Sequence, residues 1–82
     1  MRTIKIAAKI AEKKKKELPV TTPFIRLDAA LKLGDAVQTG GHAKLVITDG
    51  AVRVNGAVCT QRGKKLRKGD CFEFEQTVYE IV

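Results

Sequence analysis

Between Gly40 and Gly56 the chain reads GGHAKLVITDGAVRVNG, and few local structures satisfy this stretch. Ala43, Val46 and Ile47 recur at i, i+3 and i+4, the spacing of one helical face. Thr39 stands where an N-cap hydroxyl accepts from the first turn, and Gly50 where helices stop in a residue tolerant of positive φ. Val52 and Val54 flank Arg53 with a period of two, and Asn55-Gly56 is a strong short signal for a type I′ hairpin turn. The expectation is a short helix, a glycine stop, a strand and a tight turn. Two glycines at the start of a helix cost about 1 kcal/mol each relative to alanine. Gly40 and Gly41 together therefore suggest that some backbone approaches closely there.

The flanking sequence supplies the partners for that unit. Arg26 to Leu33 is a second periodic segment, with Leu27, Ala30 and Leu31 on one face, Arg26 and Lys32 available to solvent, and Gly34 as its stop. After the Asn55-Gly56 turn, Ala57-Val58-Cys59 returns as a short strand, and Thr60 to Lys65 forms a basic loop that Leu66 anchors to the core. Lys68-Gly69-Asp70 reads as a turn. Cys71 to Glu75 alternates so that Phe72 and Phe74 point inward and Glu73 and Glu75 outward. Gln76-Thr77 then turns into a last strand, Val78 to Val82. Met1 to Glu17 satisfies both periods, since Thr3 to Ala7 alternates while Ile6, Ala7, Ile10 and Ala11 suit a helix. We read it as a basic helix or arm, its Lys13 to Lys16 run being either a solvated helix end or a contact to phosphates or anionic lipid. Pro19 and Pro23 bracket an extended linker. The sum is an α+β fold, two short helices on a small antiparallel sheet in residues 22–82, with a basic N-terminal arm and linker in residues 1–21.

Charge and inventory limit what such a domain does. Sixteen Lys and Arg against nine Asp and Glu give a net charge of +7, a balance that attracts polyanions such as nucleic acid or an anionic membrane surface. Residues 1–17 alone carry +5, and five of the seven residues from Arg62 to Lys68 are basic. The charge is segregated, as a binding face requires. Eighty-two residues make one domain with little room for an enclosed active site. The chain has no serine, one histidine and no paired carboxylates suited to acid–base work, so no enzymatic role is expected. Cys59, Cys71 and His42 fall short of the four ligands of a structural zinc, so neither metal nor other cofactor is expected. No stretch resembles a secretory signal or a membrane span, which makes the cytoplasm the expected compartment and reduced cysteines the expected state.

These residues together resemble a known family, the RNA-binding domain first described in the fourth protein of the small ribosomal subunit, also called the αL motif. The resemblance rests on Arg26-Leu27-Asp28 with Leu31, on Ala43, Val46-Ile47 and Gly50, on Val52-Arg53-Val54-Asn55-Gly56, and on Gly69-Asp70. It runs from about Phe24 to Phe74. Gly40-Gly41-His42-Ala43-Lys44 and Arg62-Gly63-Lys64-Lys65 are similar to the small stand-alone bacterial members, and no space is left here for an attached enzyme. Most members of the broader family place Ser-Arg at the start of the second helix, where this chain has Thr39-Gly40. The capping hydroxyl is retained and one arginine contact to RNA is missing, so affinity is expected to rest on the backbone and on the later basic loop.

Physical chemistry leads to the same partner. A helix N-terminus presents unpaired amides and partial positive charge, and glycine lets a phosphate oxygen come close to them. The candidate RNA contacts are Arg26, Lys32, Thr39, Gly40, Gly41, His42, Lys44, Arg53, Asn55, Arg62, Lys64, Lys65, Arg67 and Lys68. With Phe72 and Phe74 expected in the core, only Phe24 and Tyr79 remain for stacking on bases, and at least one of these is expected to be buried. The expected ligand is structured RNA, ribosomal or ribosome-associated, met through phosphates and shape, with no small-molecule substrate. Two alternatives belong to other classes: an adaptor that docks a ribosomal or other acidic protein partner through its sheet face, and membrane-surface association through residues 1–17. The last ranks lowest, because the apolar face of that segment is thin and lacks aromatic anchors.

Overall fold

The computed structural model describes residues 13–82. The readings made for residues 1–12 lie outside the described residues. In chain order the elements are β1 (Lys14–Leu18), β2 (Ile25–Arg26), α1 (Leu27–Leu33), α2 (Gly40–Thr48), β3 (Arg53–Val54), β4 (Ala57–Val58), β5 (Lys65–Leu66), β6 (Cys71–Phe74) and β7 (Thr77–Ile81). Two helices lie on one face of a five-stranded sheet of order β1-β7-β6-β3-β4, and β2 and β5 form a separate two-stranded ribbon.

Local chemistry fixes most of these elements. Thr39 caps α2, its Oγ1 accepting from the His42 amide at 3.1 Å. Gly50 ends the helix at φ +77°, and Asn55 and Gly56 both hold positive φ, +50° and +88°, as a type I′ turn demands. α1 stops differently from the expectation. Gly34 keeps an ordinary φ of −79°, and the left-handed residue is Asp35, at φ +61°. Tyr79 occupies the space that a Cβ at Gly34 would need, at 3.0 Å, so glycine serves there for close packing. The last hairpin turns at Glu75 and Gln76, both at positive φ, one residue earlier than the sequence suggested.

The largest difference concerns the lysine run. Lys14–Leu18 is a strand, paired parallel with β7 in the register Lys14 to Thr77 through Leu18 to Ile81, so the sheet is mixed and not wholly antiparallel. Leu18 and Val20 enter the core, and Leu18 packs against the end of α1 beside Gly34. The strand is legible only through those two apolar residues, because an edge strand flanked by solvent tolerates lysine at every exposed position. Residues 14–18 and Val20, which the sequence placed with the arm and linker, share the sheet and core of residues 22–82.

That core is aliphatic with three aromatic rings. Leu27, Ala30 and Leu31 of α1 and Ala43 and Ile47 of α2 pack on Val54, Phe72, Phe74, Tyr79 and Ile81 of the sheet. Tyr79 stacks on Phe72 with ring centroids 4.7 Å apart. Burying each large apolar side chain contributes about 1.5–3 kcal/mol. By the pleat, the residues that alternate with these along the strands, Val58, Arg53, Glu73, Val78 and Lys15, are register partners of one another and line the sheet's other face.

Candidate nucleic-acid interface

The basic loop is held by the first turn of α1. The amides of Leu27 and Asp28 donate to the carbonyls of Lys64 and Arg62, at 2.8 and 3.1 Å, so the loop satisfies donors that a helix start leaves open. β2 and β5 pair next to this seam, with Ile25 opposite Leu66 and Arg26 opposite Lys65. Leu66 is fully buried, as expected of the loop's anchor, but the expected loop thereby ends in a strand. The Arg26 guanidinium passes within 3.7 Å of where a Cβ at Gly63 would lie and bonds Asp28 at 3.2 Å. Arg26, Arg62, Lys64 and Lys65 therefore belong to one corner of the molecule.

A shallow groove leads from that corner to the second helix. Arg26, Asp28, Ala29 and Lys32 of β2 and α1 form one wall, and Gly40, the first residue of α2, the other. A Cβ built on Gly40 or Gly41 would meet none of the described residues within 4 Å. No group of the described residues accepts from the amides of these two glycines. The glycine pair is exposed, so the close backbone approach suspected from the sequence is not made by any of the described residues. His42 and Lys44 are exposed on the first turns of α2, adding side chains beside those amides.

The remaining candidates lie elsewhere. Arg53 points to the sheet face away from both helices, since its neighbour Val54 is the one packed in the core. Asn55 is engaged internally: its Oδ1 accepts from the Cys71 amide at 3.0 Å and its Nδ2 donates to Asp70 at 3.3 Å. Arg67 and Lys68 sit at the β5–β6 turn, which is tied to β7 by the Gly69 amide donating to the Ile81 carbonyl at 2.8 Å. Lys13, outside the candidate list, pairs with Glu73 at 2.8 Å. Sequence reasoning missed one contact at the basic corner. The Lys65 ammonium rests over the Phe24 ring, 4.8 Å from its centroid. The available signal was Phe24 itself, an aromatic placed after Pro23 and before the first alternating residues.

With its two packed helices, Val-x-Val-Asn-Gly hairpin and basic loop docked on the first helix, the chain matches the sequence profile of the S4 domain over residues 18–82. The chain belongs to that family. It is similar to a Bacillus subtilis (strain 168) protein named probable ribosome maturation protein RlbA, with 40% identity over 58 residues, covering 71% of this chain and 82% of that protein.

Proposed function

We propose that this protein binds structured RNA, ribosomal or ribosome-associated, as a non-catalytic factor of the cytoplasm. The observation that carries the reading is the groove that Gly40, at the start of α2, shares with Arg26 and Lys32, with the exposed Gly41 next to it in the chain and the Arg62–Lys65 loop docked on the first turn of α1. Phosphate oxygens fit such a surface, because backbone amides at a helix start and nearby guanidinium and ammonium groups all donate to anions. His42 and Lys44 extend it along α2, and Thr39 orders the amides that it does not itself consume. Membership in the S4 family and the ribosome-maturation name of the Bacillus relative both support RNA and ribosomes as partners. No helix among the described residues is long and apolar enough to cross a membrane.

The test is the salt dependence of RNA binding. Replacing Arg62, Lys64 and Lys65 together by alanine should weaken binding and reduce the log–log salt slope by about 2, since each phosphate contact adds roughly 0.7–0.9. A slope equal to that of the wild-type protein would exclude the loop from the contact. Sequencing RNA crosslinked to the protein in cells would then identify the target.

A further inference from the structure

The cationic groove ends at an aromatic ring. Arg26 belongs both to the groove wall and to the β2–β5 ribbon, where it pairs with Lys65, whose ammonium lies over Phe24. Phe24, Arg26 and Lys65 thus share one face of the ribbon, continuous with the surface that reaches Gly40. Phe24 is 37% exposed, whereas Phe72, Phe74 and Tyr79 are buried. Among the described residues, the other large apolar side chains with open surface, Leu33, Leu45, Val58 and Val82, are aliphatic and offer no ring face. The turn that presents Phe24 is ordered by the Thr22 hydroxyl, which donates to the Phe24 carbonyl at 2.7 Å.

We infer that Phe24 is a stacking platform for one unpaired RNA base, at the point where a bound duplex ends or opens. This rests on the RNA-binding reading above and narrows its ligand to a duplex with an adjoining single-stranded nucleotide. Paired bases hide their faces within the stack, so only an unpaired base can lie on a side-chain ring. The cation on the ring supplies the switch. A phosphate at the end of the groove draws the Lys65 ammonium off Phe24 and exposes the face that the base takes, replacing a cation–π contact by a base–aromatic one.

The experiment compares two RNAs at low salt, a blunt hairpin and the same hairpin carrying a short unpaired overhang, with the full chain and its Phe24 variants. Phe24→Ala and Phe24→Leu should each lose about tenfold in affinity for the overhang RNA and change little toward the blunt one. Phe24→Leu retains an apolar side chain without a ring face, and thermal melting of both variants separates stacking from folding. The chain contains no tryptophan, so Phe24→Trp gives a single reporter. Its fluorescence should be quenched by the overhang RNA and unaffected by the blunt hairpin. Equal losses toward both RNAs, or an unquenched tryptophan with bound overhang RNA, overturns the inference and leaves the RNA-binding reading in place. Absence of binding to either RNA by the wild-type chain overturns both.

Discussion

On the proposed reading, Gly40 and Gly41 set local stability against binding. In the first turn of α2 each glycine is less favourable than alanine by up to about 1 kcal/mol, and none of the described residues crowds the position where a methyl group would go. Gly40→Ala with Gly41→Ala should therefore raise the denaturation midpoint while weakening RNA binding, because two methyl groups would stand over the open amides. Denaturant unfolding and RNA titration on the same double variant check this, and a variant that is both more stable and equally tight would remove the glycines from the interface. Tyr79 provides a second residue-level expectation. Burial pushes its phenol above the ordinary value, the charges of Asp35 and Glu75 add to the rise, and a hydrogen bond with Thr77 opposes it. The folded state thus prefers the neutral phenol. Its contribution is complete below the unfolded pKa of about 10 and is lost as the pH rises from there through the native value. Tyr79→Phe keeps the ring stacked on Phe72 and should flatten the alkaline decline, measured as unfolding free energy between pH 9 and about 11.

At the scale of elements, β1 shows where a sequence stops being legible. The helices, the Asn55-Gly56 turn and the inward Phe72 and Phe74 are written in periodicity, caps and glycine positions, all of which act within a few residues. β1 has none of these signals, since Lys14, Lys15, Lys16 and Glu17 look alike to any pattern and only pairing with a strand more than sixty residues away orders them. The β2–β5 ribbon was hidden for the same reason, being two residues long on each side. The interface divides similarly. The open glycine amides and the basic loop could be anticipated from residue type, whereas the outward turn of Arg53 and the internal engagement of Asn55 depend on strand register and on Asp70 and Cys71. Leu18→Ala is the direct test of the strand, and should destabilise the fold by about 2 kcal/mol, as removing buried methyl groups does near a sheet edge. Replacing exposed Lys15 by alanine should leave the midpoint within about 0.5 kcal/mol. Equal effects would mean that β1 is not docked in solution.

Across the whole molecule, the two faces of the sheet have unlike chemistry. One is covered by helices whose exposed side gathers the glycine amides, Arg26, Lys32 and the basic loop. The other is mixed, with Arg53, Glu73 and Lys15 among Val58 and Val78 and no helix of the described residues packed on it, and its Lys13–Glu73 pair offsets charge locally. The parallel alignment of β1 with β7 has a further kinetic effect. A contact between strands so distant along the chain closes a loop containing every other element, so it is favoured only after the hairpins and helices have gathered. The lysine strand is therefore expected to settle last, and a fluctuation that detached it would bare the edge of β7 and uncover the end of α1 where Leu18 rests.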